Sequence, residues 1–212
     1  MAVYNSDTHP SPRMRFQLEF VENHYSLNPL LDPPLVLNIG CSDDPAEFGD
    51  RAWHFDMDDW SSTHRHFTQG DAHDLPFEDE SFHLVVMADI HEHLVNPLQA
   101  TLEAARVLAP NGFLVMTIFE EWRLPGPGQH IEYSSRINKP FPDDRVVYAD
   151  NDENPHLYHI NAFTDQHIWE IIGHTCVEMG LMIVRYSKVL EAVHEGHPIM
   201  NWLIALHKRR MS

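Results

Sequence analysis

The chain reads as an α/β domain, a mostly parallel sheet with helices packed on its faces. Three observations predict this. Short apolar runs at 35–39 and 82–88 have the pattern of strands covered on both faces. Segments at 97–108 and from Thr164 onward carry apolar residues near a 3.6-residue period. Strand, turn, helix, turn and strand follow one another from 82 to 119, and that order is a βαβ unit, which implies parallel pairing.

The elements follow in order. Residues 1–12 are proline-containing and weakly apolar, a loose lead-in. Phe16, Leu18, Phe20, Val21 and Tyr25 form an imperfect helical stripe over 14–25. Asn28-Pro29 and Pro33-Pro34 then break the chain. The first strand is expected at 35–39, followed directly by Gly40. Further strands are expected at 52–55, 66–69, 82–88 and 113–119. Asn96-Pro97 opens the helix at 97–108 as cap and first-turn proline, and Pro110-Asn111-Gly112 turns the chain into the fifth strand. Thr164 caps a helix whose Ile168, Ile171, Ile172 and Cys176 face inward and which Gly180 ends. Two closing strands are expected at 181–186 and 200–206, joined by a linker with room for a short helix.

Composition bounds the function. At 212 residues, 43% of them hydrophobic, the chain suffices for one domain spanning 1–212 with a sizeable core. Within it, 1–34 is an N-terminal extension and helix. The segment 120–162 is rich in Pro, Gly, Asp and Asn with spaced aromatics, including Trp122, His130, Tyr133, Phe141, Tyr148, His156 and Tyr158. Leaving the carboxyl end of a strand, it suits a substrate-shaping insertion. Two cysteines, Cys41 and Cys176, are too few for a disulfide framework. The opening residues lack a basic-then-apolar leader, so a cytoplasmic location is expected. No apolar run approaches the ~20 residues that span a bilayer. Fourteen Lys+Arg against 32 Asp+Glu give a net charge of −18, which disfavours direct nucleic-acid binding and anionic membranes. The tail His207-Lys208-Arg209-Arg210 is expected to be a solvated basic terminus. Seventeen histidines are scattered along the chain rather than set in metal-ligand spacing.

Four groups of residues carry chemistry. Gly40, straight after a buried strand, lets backbone approach a ligand at the strand's carboxyl end, and Cys41, Ser42, Asp43 and Asp44 follow it with amides facing the same crevice. Asp56, Asp58 and Asp59 cluster at the end of the second strand, where a carboxylate can accept both hydroxyls of a ribose. Asp56 is best placed and Asp58 is the reserve. In the run Gly70-Asp71-Ala72-His73-Asp74-Leu75-Pro76-Phe77, Asp71 can accept from an exocyclic amine while a neighbouring amide meets a ring nitrogen. Leu75, Pro76 and Phe77 are expected to pack that loop down. Beyond the fourth strand, Asp89-Ile90-His91-Glu92-His93-Leu94 offers His91 as a proton carrier near neutral pH. His93 is expected to be structural. A metal at His91 and His93 is not expected, because such spacing shares a side only in extended backbone and no further ligand lies nearby in sequence.

These blocks resemble the class I S-adenosylmethionine-dependent methyltransferases, small-molecule-type branch. The resemblance rests on Asn38-Ile39-Gly40-Cys41-Ser42-Asp43-Asp44, on residues 70–82, on Glu92-His93-Leu94 and on Ala105-Arg106-Val107-Leu108-Ala109-Pro110-Asn111-Gly112. The family core reads roughly D-I-G-C-G-x-G, G-D-A-x-x-L-P-F-x-D-x-S-F-D, E-H and R-V-L-K-P-G-G, and the similarity covers about residues 35 to 117. It implies a Rossmann-like three-layer sandwich with a seven-stranded sheet whose last strand is antiparallel. It implies methyl transfer from S-adenosylmethionine to a small-molecule or modified-metabolite acceptor.

Carried over by position, Asn38 and Gly40 lie beside the methionine part of the cofactor. Asp56 is the ribose acid, Asp71 with the Ala72 amide holds adenine, and Asp89 borders the reactive end. For the acceptor's proton, His91 is the first candidate and Glu120, at the end of the fifth strand, the second. The chain departs from the family at Asn38, where an acid is usual, and at Ser42 and Asp44, where glycines are usual. With only 15 positions from Phe55 to Gly70, the helix between strands two and three must be short or missing. These departures favour, as the alternative, a catalytically silent methyltransferase-fold protein that binds a partner. An NAD-type enzyme is disfavoured, because the Gly-x-Gly-x-x-Gly fingerprint is absent.

Overall fold

Chain order is α1 (Pro12–Leu27), β1 (Val36–Ile39), β2 (Trp53–Asp56), β3 (Phe67–Gln69), β4 (Phe82–Ala88), a 3₁₀ turn (His91–His93), α2 (Pro97–Val107), β5 (Leu108–Glu120), α3 (Asp165–Met179), β6 (Leu181–His194) and β7 (His197–Lys208). The structure, a computed structural model, describes residues 11–27, 35–42, 48, 52–120, 161, 163–194 and 197–210. Asp43, Asp44 and the insertion aromatics lie outside the described residues.

The strands form one seven-stranded sheet in the order β3-β2-β1-β4-β5-β7-β6. β1 to β5 pair in parallel, and β7 runs antiparallel to both of its neighbours, β5 and β6. The expected sandwich is therefore the observed one. The direct passage from β2 to β3 also matches its expected form, since residues 57–66 make turns and no helix.

Period-two alternation builds the two faces of the sheet. Leu37, Ile39, Phe55, Val85, Met87, Leu114, Met116 and Ile118 point to the face covered by α2 and α3, against Ala100, Ala104, Ile168, Ile171 and Ile172. The residues between them, Val36, Leu84, Val86 and Val115, meet Phe16 and Val21 of α1 on the other face. Both faces of β1 are buried along its whole length, which is why it reads as a continuous apolar run rather than an alternating one.

The caps are set locally. Ser11 Oγ accepts from the Met14 amide ahead of Pro12 at the first turn of α1. Asn96 Oδ1 accepts from the Gln99 amide, with Pro97 opening α2. Thr164 caps α3, and His167 Nδ1 accepts from the Thr164 amide, taking the return role usually filled by Glu or Gln.

Two expectations fail. The linker at 187–198 forms no helix among its described residues: β6 and β7 extend into one long antiparallel hairpin through Val193↔Pro198. Long-range pairing wins there, because the stretch carrying Val189, Leu190 and Val193 gains ladder bonds with β7 that a short isolated helix could not match. The basic tail is also more than a solvated end. Lys208 belongs to β7, and its Nζ donates to the carbonyls of Ala105 and Leu108 at 3.1 and 2.7 Å, satisfying the end of α2. No helix among the described residues is long and apolar enough to cross a membrane.

Candidate active site

Strand register brings the expected residues to one edge. Ile39 pairs with Phe55 and with Met87, and Asp56 pairs with Gln69. Gly40, Asp56, Gly70 and Asp89 therefore leave four adjacent parallel strands at their carboxyl ends. β1 sits between β2 and β4, where the chain reverses its direction of travel across the sheet, and open α/β sheets bind ligands at such a point.

Gly40 has φ +76, and a Cβ there would lie 2.8 Å from Ile90 Cδ1 and 3.1 Å from Ile90 Cβ. Its amide donates to the Phe55 carbonyl at 2.8 Å, so the turn is tied to β2. Ser42 keeps the left-handed conformation (φ 46) at a position where the family uses glycine. Its amide donates to Asp56 Oδ2 at 2.9 Å, while Asp56 Oδ1 accepts from the Asp58 amide at 3.0 Å. Asp56 is thus held rigidly by two backbone donors, and each carboxylate oxygen keeps a lone pair for a further donor. Asp58 supplies its amide to this arrangement.

The loop after β3 is fastened to α2 by side chains that sequence reading passed over. Asp71 Oδ1 accepts from the His73 amide at 2.9 Å and from His73 Nδ1 at 2.5 Å. His73 Nε2 accepts from the Asn96 amide at 3.0 Å, so the ring carries its proton on Nδ1, facing the carboxylate. Burial works to raise the Asp71 carboxyl, but the hydrogen bonds from the His73 amide and ring outweigh it and hold it below the ordinary carboxylate value. The Asp71 side chain remains 57% exposed at the crevice. Ala72 and Leu75 are buried, Phe77 is half-buried and Pro76 is exposed. Arg106 Nη2 and Nη1 donate to the Leu75 and Phe77 carbonyls, each at 2.9 Å, and the same guanidinium pairs with Glu103 and Asp79. Glu103 also accepts from the Leu75 amide. Arg106 stands in the Arg-Val-Leu block quoted above, and that was the available signal.

A Cβ on Gly70 would meet the Phe55 ring at 2.9 Å, which accounts for the glycine before Asp71. Asn38 lies two residues short of the edge, at 3% exposure, paired in register with His54 and Val86. Its Oδ1 accepts no hydrogen bond among the described residues.

At the β4 end, Asp89 adopts φ 47. It accepts from Thr117 Oγ1 at 2.9 Å and pairs with Arg13 of α1. Gln17 Nε2 donates to the same Thr117 hydroxyl at 2.8 Å, and Glu191 of β6 accepts from the Arg13 amide. The Asp89 carboxylate therefore locks α1 over this end of the sheet. Arg13 and Glu191 gave no local sequence signal.

His91 is placed differently from its expected role. It is fully buried, and its Nε2 lies 3.0 Å from Thr101 Oγ1. The Thr101 hydroxyl donates to the Pro97 carbonyl, so it accepts from His91 Nε2–H. Burial pushes the imidazole down to about 3, which makes it a neutral packing histidine on α2 rather than a proton carrier in the crevice. The turn that holds it is clamped by Asn161, whose Nδ2 donates to the His91 and Leu94 carbonyls. Glu120 ends β5 opposite Met200; a role for its carboxylate lies outside the described residues.

A family model described as a methyltransferase domain matches residues 49–116. No curated protein matches by sequence. Among solved structures, a SAM-dependent methyltransferase from Methanosarcina mazei is 15% identical, with a TM-score of 0.58 over 88% of this chain and 98% of that one. The [4+2]-cyclase SpnF is 14% identical, with a TM-score of 0.57 over 93% and 82%. A 1,6-didemethyltoxoflavin-N1-methyltransferase from Burkholderia thailandensis, solved with its substrate and S-adenosylhomocysteine, is 13% identical, with a TM-score of 0.56 over 94% and 80%. The strand order, the antiparallel last strand and the matched core together assign the chain a class I S-adenosylmethionine-dependent methyltransferase-like fold.

Proposed function

We propose that this protein binds S-adenosylmethionine at the Gly40–Asp56–Asp71 edge and transfers its methyl group to a small-molecule acceptor. The supporting observation is that register alone aligns Gly40, Asp56 and the Gly70-Asp71 turn at the reversal point of the sheet. The residues fit the cofactor: the Gly40 turn has no room for a side chain, Asp56 is preset for a ribose and Asp71 is exposed for an amine. The Ala72 amide would complete the adenine contact. The Asn38 oxygen, an orphan buried acceptor beside the turn, would accept from the ammonium group without charge assistance.

When bound, the cofactor supplies a methyl group already activated by its sulfonium. The chain's own work is to align the acceptor and exclude water. Asp89, held by Thr117 and Arg13, positions α1 beside the acceptor side, and the insertion at 120–162 would shape acceptor recognition. With His91 buried, Glu120 is the remaining candidate to take a proton from an acceptor that must lose one.

The test is calorimetric titration of the full chain with S-adenosylmethionine, S-adenosylhomocysteine and NAD. The first two should bind and NAD should not. Asp56→Ala and Asp71→Ala should each weaken binding about 10- to 100-fold, the loss expected for a hydrogen bond to a charged group. No binding of either adenosyl ligand at millimolar concentration would sink the reading.

A silent, partner-binding role is the second reading, favoured by the uncharged Asn38 and by Ser42 in a glycine conformation. It predicts a bound donor with no labelled methyl product from any metabolite pool.

A further inference from the structure

Directly behind the donor turn lies a second cluster of chemistry-bearing side chains. Cys41 follows Gly40, His54 lies in β2 opposite Asn38, and His64 sits in the turn leading to β3. The Cys41 sulfur and one ring nitrogen from each histidine lie within 4.8 Å of one another. All three residues are buried, at 5%, 1% and 4% exposure. The imidazoles stack with centroids 3.9 Å apart. His64 Nε2 sits 2.8 Å from the Ser42 carbonyl. A carbonyl only accepts, so the neutral ring carries its proton on Nε2 and turns a lone pair on Nδ1 to other partners.

We propose that Cys41, His54 and His64 form a binding site for a zinc(II)-class transition-metal ion that braces the Gly40–Ser42 turn. The donors are one sulfur and two imidazole nitrogens, which suit a borderline-soft ion and not calcium or magnesium. The His64–Ser42 contact is the outer hydrogen bond that orients a metal-ligating imidazole and selects its tautomer. Zinc–sulfur and zinc–nitrogen bonds of about 2.3 and 2.0 Å allow donors at most about 4.3 Å apart. Binding therefore brings the three donors within that reach and turns the imidazoles out of their stack, so that each ring aims a nitrogen lone pair at the ion.

Without an ion, burial first, and the Asp56 charge second, push the Cys41 thiol up to about 12. A divalent ion reverses that preference: the sulfur–metal bond forms, the sulfur–hydrogen bond breaks, and the proton leaves to solvent. The thiolate then neutralises part of the ion's charge, and nearby Asp56 offsets more. Ser42 links this site to the crevice, because its carbonyl faces His64 and its amide holds Asp56. That consequence for donor affinity rests on the donor site proposed above, whereas metal binding itself does not.

The experiment titrates the chelator-stripped full chain with cobalt(II), then displaces it with zinc(II). A near-ultraviolet thiolate-to-cobalt band should appear, saturate at one ion per chain and vanish on adding zinc. Cys41→Ser should abolish the band and lower zinc affinity at least about tenfold. His64→Gln should weaken zinc similarly while keeping the sulfur, so a misfolded Cys41 variant does not remove the test. Cys176→Ser, on α3, should change neither. No band at micromolar cobalt, or a band that survives Cys41→Ser or is lost in Cys176→Ser, overturns the proposal. A normal cobalt spectrum in a chain that binds no S-adenosylhomocysteine supports the metal site and removes the donor site alone.

Discussion

Acidification acts on this fold through His91. The imidazole stays neutral in the folded chain down to about pH 3, because burial excludes its charged form. In the unfolded chain it titrates near the ordinary value of about 6.5. The folded value is the depressed one, so the unfolded state takes up the proton first as the pH falls. The full contribution is present above about pH 6.5 and declines as the pH drops toward about 3. Each pH unit inside that window costs about 1.4 kcal/mol. Lowering the pH to about 5 therefore removes about 2 kcal/mol, a sizeable part of a typical total of about 5–15 kcal/mol. The chain holds 17 histidines, so the measurement needs a reference lacking this one. His91→Gln keeps a donor for Thr101 and does not ionise. Urea unfolding of both proteins at about pH 7.5 and pH 5 should show the parent losing about 2 kcal/mol more than the variant. Equal losses in the two proteins would refute the burial argument. They would also return His91 to the list of groups able to carry a proton.

Two further outcomes follow from the geometry of the crevice. Gly40→Ala forces a left-handed backbone on alanine, at about 1–2 kcal/mol, and sets its Cβ against Ile90, adding about 1–3 kcal/mol of overpacking. Adding Ile90→Ala should recover part of that loss in denaturant melts, and strictly additive effects would reject the contact. Arg106→Met removes the donors to the Leu75 and Phe77 carbonyls and should cost about 2–3 kcal/mol. Amide exchange at residues 70–79 should accelerate with it; unchanged protection there would show that α2 does not hold the loop.

Much of this architecture was legible because its causes are local. The continuous burial of β1 and of Leu84 to Met87 in β4 follows from covering a sheet on both faces, and each is written in a few consecutive residues. The caps at Asn96 and Thr164 act over three positions and stand where expected. Asp56 ends β2 and Asp71 stands two residues beyond β3, so their places near strand ends could be read locally, and strand register carries them to a common edge.

What escaped depends on partners far along the chain. The hairpin from 187 to 198 is decided by ladder pairing with β7, which outweighs local propensity. Nothing near Asp89 in sequence announces Arg13, because the ion pair exists only once α1 crosses β4 and β5. His91 has the composition of a catalytic residue, yet the 3₁₀ turn points its ring into α2, and orientation rather than residue type settles its protonation. Around Gly40, the sequence determined the short apolar strand and the side-chain-free turn after it, since both follow from local sterics. Only the tertiary structure decided what faces that turn: Asp56 in front, and Cys41, His54 and His64 behind. Their separation along the chain carries no ligand spacing, and the parallel pairing of β1 with β2 is what brings them within reach.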